Sequence, residues 1–138
     1  MPVAGQEVRG AQQRALPGLE VDTDLRWSLV TALARMGAAG EDEIEQALAA
    51  DNTISGQERA SAARAIRPTA EAKAEAWRVV VEEDATPNET RRQTAYAFQV
   101  TGQAELLEPY VDRYLQMAET IVEDKGVWIG QVALVALF

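Results

Sequence analysis

From Asp22 to Phe138 helix-ending and helix-starting residues follow each other closely, and the interruptions between apolar-periodic segments run to only about two to seven residues. Links that short join helices as antiparallel neighbours. No segment carries the alternating pattern of a strand. The expected fold is therefore all-α, built of stacked antiparallel helical hairpins, with a bundle and a short solenoid both open.

The helices can be placed one by one. Leu25, Leu29 and Leu33, flanked by Trp27, Val30 and Ala34, give a helix from about Asp24 to Met36 a broad apolar face, and Gly37 ends it. Glu41, Asp42, Glu43 and Glu45 open a second, with Ile44, Ala47 and Leu48 facing inward. Ser55-Gly56-Gln57-Glu58 has capping-box spacing and opens an Ala-rich third, which must stop before Pro68. Thr69 caps a fourth, whose expected stripe is Ala70, Ala74, Trp77 and Val81. Thr86-Pro87-Asn88-Glu89 combines a capping hydroxyl, a first-turn proline and a capping-box glutamate. The fifth helix starts there, buries Ala95 and Phe98, and breaks at Thr101-Gly102. A sixth is expected from Gln103 to about Asp124, with Leu107, Val111, Tyr114, Ala118 and Ile121 on one face; Pro109 predicts a shifted start or a mild kink. A seventh begins near Gly126 and is apolar almost all round, so it is either buried or awaits a partner. Residues 1–20 mix Gly, Gln and Pro without clear periodicity and read as a loose lead-in. The helical domain is expected over 21–138, with about seven helices.

The 138 residues suit one domain. Net charge is −9, from 22 acidic against 13 basic residues, a balance that repels phosphate backbones and anionic lipid, so neither nucleic acid nor a membrane is an expected partner. The most apolar window, Val127 to Phe138, is 12 residues long, short of the roughly 20 that span a bilayer. The N-terminus has no continuous apolar run with a small-residue cleavage site. A cytoplasmic location is the default expectation.

Chemistry is sparse. There is no cysteine, hence no disulfide or thiolate metal site, and no histidine for acid-base work or metal ligation. Glu41, Asp42, Glu43 and Glu45 lack the loop that calcium requires and suit compensation of a helix dipole. Ser28, Ser55 and Ser61 have only Lys73 and Lys125 as conceivable bases, and both lysines sit in charged stretches that look exposed. Arg64, Arg67, Arg91 and Arg92 form the only basic concentration; a solvated face is one reading, and anchoring a peptide carboxylate at Arg91 and Arg92 is the sharper one. Tyr110 and Tyr114 fall on a packing face, unlike Tyr96. Trp27, Trp77 and Trp128, separated by 50 and 51 residues, read as packing anchors, although their flanking residues do not repeat.

Several blocks carry a resemblance: Gly18-Leu19-Glu20-Val21-Asp22-Thr23-Asp24-Leu25-Arg26-Trp27, Asp51-Asn52-Thr53 with Ser55-Gly56-Gln57, Arg67-Pro68-Thr69-Ala70-Glu71-Ala72-Lys73-Ala74-Glu75-Ala76-Trp77, Pro87-Asn88-Glu89-Thr90, and Glu105-Leu106-Leu107 with Pro109-Tyr110-Val111 and Tyr114. In this order and spacing they resemble the C-terminal helical domain of actinobacterial aminopeptidase N, zinc metallo-aminopeptidases whose helical portion is shared with the endoplasmic-reticulum aminopeptidases. The match weakens after Met117. The resemblance implies an alpha-alpha superhelix of the HEAT or armadillo kind. It implies zinc in the parent protein, but neither the family's two-histidine zinc motif nor its Gly-x-Met-x-Asn motif occurs here, and no catalytic residue carries over. The implied part is a noncatalytic fragment of a larger helical domain. It would wall the chamber that encloses peptides and support domain closure, with the catalytic domain of the same polypeptide as partner and peptides met indirectly. The rival reading is a stand-alone helical-repeat scaffold that binds a protein.

Overall fold

Alanine sets the spacing at the centre of this fold. In the computed structural model, which describes residues 20–138, the helix Ile54–Ile66 carries Ala60, Ala63 and Ala65, all sealed from solvent, and neighbouring helices close on it from several sides. Numbered in chain order, the described helices are α1 (Glu20–Arg35), α2 (Glu41–Ala50), α3 (Ile54–Ile66), α4 (Ala70–Trp77) continued by a π-helical turn (Arg78–Glu82), α5 (Asn88–Phe98), α6 (Ala104–Leu107), α7 (Pro109–Lys125) and α8 (Val127–Ala136). The described chain is all-α. Of the lead-in expected over 1–20, all but Glu20 lies outside the described residues; Glu20 opens α1.

Alternate helices form a row in which α1 packs on α3, α3 on α5 and α5 on α8. Beside this row α2 pairs with α1 and α3, α4 with α3 and α5, and α7 with α8. Successive helices thus pair as hairpins. Two clusters fill the interior. Trp27, Ile44, Ala47, Ala60 and Ala63 close the N-terminal hairpins. Trp77, Val80, Phe98, Tyr110, Met117, Ile121, Ala133 and Leu137 belong to the larger one. There Tyr110 sits 5.3 Å from Trp77 and meets Phe98 edge-on at 5.2 Å.

Local punctuation behaves as expected where it is local. Gly37 ends α1 at φ +77, and the N–H groups of Ala38 and Ala39 return to the Leu33 carbonyl. Pro68 follows α3, and the Thr69 hydroxyl accepts the Ala72 N–H to start α4. The Glu43 carboxylate reaches back to the Gly40 N–H at 2.8 Å.

Several expectations are corrected. The leucine stripe of α1 does not face the core: Leu25, Leu29 and Leu33 are 40%, 46% and 44% exposed, whereas Trp27 and Ala34 are buried. At 3.6 residues per turn, a position two residues from Trp27 lies on the far side of the helix. The indole takes the inner face, where α3 offers small side chains. In α4 the buried stripe is Ala72, Lys73, Ala76 and Trp77, with Ala70 and Ala74 outside. The cap of α3 is Thr53 rather than Ser55, since the Thr53 hydroxyl accepts the Gly56 N–H at 2.9 Å. Thr86 does not cap α5; Pro87 stands at the cap position, and Glu89 binds Arg92 and Gln93 instead of closing a box. The expected sixth helix is two, because Pro109 lacks the N–H that would continue the ladder, which leaves eight α-helices among the described residues rather than about seven. Val111 turns outward, and Tyr110, Met117 and Ile121 carry the packing. The last helix buries Val132, Ala133 and Ala136 but leaves Val127, Trp128 and Val135 exposed, so Trp128 is not an interior anchor.

Candidate functional site

Helix C-termini leave carbonyls without intrahelical donors, and long side chains from neighbouring helices serve them here. Lys73 is fully buried, and its Nζ donates to the Ala65 carbonyl of α3 at 2.7 Å and to the Phe98 carbonyl of α5 at 3.1 Å. The exposed position expected for Lys73 is thus overturned. Burial pushes its ammonium down to about 8. Gln103 Nε2 donates to the Ile66 carbonyl at 2.9 Å, and Lys125 Nζ to the Glu82 carbonyl at 2.9 Å. Cations at helix C-termini are also favoured by the macrodipole.

Arg91 and Arg92 part company. Arg91 is buried, not on a solvated face: Nη1 donates to the Val79 and Val80 carbonyls at 3.0 and 2.8 Å, and Nη2 approaches those of Asp84 and Thr86 at 3.5 and 3.4 Å. It therefore clamps the π-helical turn to the link into α5. Burial lowers the guanidinium from its ordinary value. Arg92 faces outward, binds Glu89 at 3.1 Å and lies 5.4 Å over the Trp128 ring. With Tyr96, Val132 and Val135 it lines a cavity of about 230 Å³ between α5 and α8.

A second cleft, of about 310 Å³, opens between α3, α4 and the link before α5, with Ser61, Arg64, Arg67, Arg78, Glu75 and Glu83 along its walls. Its cations are answered by carboxylates: Arg64 binds Glu41 at 2.8 Å and Glu45 at 2.5 Å, while Arg78 binds Glu75 at 2.6 Å and Glu83 at 2.9 Å. The acidic cluster of α2 is spent in part on these pairs and in part on the cap at Gly40. Among the described residues no group of three potential metal ligands converges, and the chain contains neither histidine nor cysteine, so this donor set does not fit a zinc ion. Tyr114 donates to the Leu134 carbonyl at 2.6 Å, Tyr110 is buried, and Tyr96 is exposed. Lys73 and Lys125, the two lysines weighed as bases for serine, hold backbone carbonyls and the Asp84 carboxylate.

Sequence reasoning missed Lys73 and Asp51. The first had a signal, because Lys73, Ala76, Trp77 and Val80 recur with helical spacing on one face. Asp51 accepts the Trp27 indole N–H at 2.8 Å and the Thr53 hydroxyl at 2.9 Å, a role that its neighbours in sequence do not announce.

A family model described as ERAP1-like C-terminal domain matches residues 4–137. The chain is also similar to an aminopeptidase N of Streptomyces lividans, with 39% identity over 125 residues, which is 91% of this chain and 15% of the length of that relative. None of the described helices is long and apolar enough to cross a membrane. By the extent of the family match, the chain belongs to the ERAP1-like C-terminal domain family.

Proposed function

We propose that this chain acts as a noncatalytic stretch of the C-terminal helical domain of a zinc aminopeptidase, forming part of the wall around the peptide chamber and supporting domain closure. One observation carries the reading: the chain aligns over nearly its whole length with a small part of an aminopeptidase N. The absence of histidine supports it, since zinc on this reading is held by the catalytic domain of the same polypeptide, which is also the partner. Residues 21–138 then form one section of a longer helical domain. Peptides are met indirectly, and Arg92, beside Trp128 at the mouth of the α5–α8 cavity, is the arginine of the pair that presents its guanidinium to a peptide carboxylate. A cytoplasmic setting is carried with this reading.

The test is a transplant. Replacing the homologous segment of the Streptomyces enzyme with this chain is expected to preserve hydrolysis of an aminoacyl-anilide, whereas deleting the segment abolishes it or alters its preference for peptide length. Zinc-dependent hydrolysis by the 138-residue chain alone would overturn the reading. The exposed Tyr96 and Trp128 favour the second reading, a helical-repeat scaffold for a protein partner. A chimera with wild-type kinetics and unchanged peptide-length preference after Arg92→Ala and Trp128→Ala would move that surface from the chamber to the scaffold reading.

A further inference from the structure

The cleft between α3, α4 and the link before α5 contains one guanidinium with unused donors. All the residues that line it fall within 61–94, on α3, on α4 with its π-helical turn, in the link and on the first half of α5. Ala65, Ala72 and Ala76 are buried along it, and their small side chains leave the space open. Its volume, about 310 Å³, is at the lower end of the roughly 300–1,000 Å³ of ligand sites. Arg64 and Arg78 each hold two carboxylates, but Arg67 differs. Its Nε donates to the Arg64 carbonyl at 3.1 Å, which steadies the guanidinium, whereas Nη1 and Nη2 make no hydrogen bond among the described residues. The carboxylate nearest to them, that of Glu41, stands 3.9 Å from Nη2, beyond hydrogen-bond length. The Arg67 side chain is nevertheless only 23% exposed. Ser61, Thr86 and Thr90, all half-buried, line the same cleft, and their hydroxyls bond no other described residue. A fork of charged donors, further hydroxyls and an apolar floor thus share one space. A carboxylate matches two Nη groups side by side, and in a partly desolvated position such a pair is stronger than on an open surface. A second negative charge on the same molecule would meet Glu75 and Glu83, which also line the cleft.

We propose that this cleft binds a small organic molecule with a single carboxylate, which takes paired hydrogen bonds from Nη1 and Nη2 of Arg67 while its apolar body lies against Ala65, Ala72 and Ala76. Ser61 and Thr90 supply hydroxyls to the same ligand. The site is separate from the Arg92 cavity between α5 and α8, and it is independent of any aminopeptidase role. Arg67 directly follows α3, whereas Ala72 and Ala76 belong to α4, so the bound molecule bridges the two helices and stabilises the folded chain as its concentration rises.

Titration of the isotope-labelled 138-residue chain with phenylbutyrate, followed in amide NMR spectra, tests this. Saturable shifts are expected at amides of 61–67, 72–79 and 83–94, with a Kd at or below about 1 mM. Phenylbutanamide has nearly the same shape and no charge, and it is expected to bind about tenfold more weakly or worse. Arg67→Ala is expected to lower affinity for the acid by a similar factor, whereas Arg35→Ala removes an equal charge outside the cleft and leaves affinity unchanged. Thr90→Phe, which fills the cleft from α5, is expected to abolish binding. Circular dichroism confirms that the variants keep their helices, and the comparison of acid with amide needs no variant. A pentapeptide capped at both ends, with glutamate at its centre, presents the same carboxylate as part of a protein and is expected not to bind. The proposal is overturned by the absence of saturable shifts, by equal binding of acid and amide, by affinity that survives Arg67→Ala, or by an equal loss in Arg35→Ala. Binding of the pentapeptide in place of phenylbutyrate overturns it too, and would assign the cleft to an acidic side chain of a partner protein.

Discussion

The indole N–H of Trp27 donates to Asp51 at 2.8 Å, across 24 residues of sequence, and the other oxygen of the same carboxylate accepts the Thr53 hydroxyl. One side chain thus fixes both the inward face of α1 and the first turn of α3. Asp51→Ala is expected to lower unfolding stability by about 1–3 kcal/mol, because a buried indole N–H loses its acceptor and the Thr53 cap loses its orientation. Urea denaturation measures the loss. A double-mutant cycle with Trp27→Phe is expected to show coupling, and additive losses would show that the bond contributes nothing of its own.

Gly56 lies in the first turn of α3 because nothing larger fits. A Cβ built there would stand 2.0 Å from the Asp51 carbonyl oxygen, a backbone atom that cannot rotate away. Gly56→Ala, ordinarily helpful in a helix, is expected to destabilise by about 1–3 kcal/mol through overpacking. A thermal melt that rises instead would show that the α2–α3 turn yields without cost.

These two sites also mark what could be seen in the sequence. Thr69, Pro68 and Gly37 were readable because a cap or a stop depends on the residues beside it. Thr53 was not, because Ser55-Gly56-Gln57-Glu58 offers a local box, whereas the contact that orients Thr53 runs through Asp51 to Trp27. The leucines of α1 misled for a related reason: the helix has two apolar faces, and only the alanines of α3 decide which one packs. The all-α fold followed from periodicity, and the helix class of the family from matched blocks. The roles of Lys73 and Arg91 did not follow, because orphan carbonyls acquire a position only once the helices have docked. Of the proposed contact residues, Arg92 sits on an outward face as periodicity allows, but its neighbour Trp128 comes from a helix 36 residues away.

Lys73 gives stability a pH dependence of known sign. Its pKa is about 8 in the folded chain and near 10.5 when exposed, because burial disfavours the charged form. Between these values the unfolded chain binds the proton and the folded chain does not, so stability rises with pH across that window. Below about pH 8 both forms are protonated, and above about 10.5 neither is, so the change is confined between them. The full rise is about 3 kcal/mol at most. The quantity to measure is wild type minus Lys73→Met by urea denaturation at each pH. A flat difference would show that the ammonium is solvated or compensated in the folded chain.

Arg91 is the harder residue to replace, because its fork reaches two groups of carbonyls at once. Nη1 serves Val79 and Val80 within the π-helical turn, and Nη2 faces Asp84 and Thr86 in the link to α5. Lysine keeps the charge but concentrates its donors at one point, so it can serve one group and not both. Arg91→Lys is therefore expected to cost about 2–4 kcal/mol despite its conservative look, and Arg91→Met somewhat more, since every carbonyl then loses its donor. Hydrogen exchange locates the damage: amides of 79–86 and the first turn of α5 are expected to lose protection first, while the Trp27 cluster keeps its own. Uniform loss across the chain would mean that Arg91 supports the whole larger core. Unchanged exchange in Arg91→Lys would show that one group of carbonyls suffices, leaving the second guanidinium arm without a structural task.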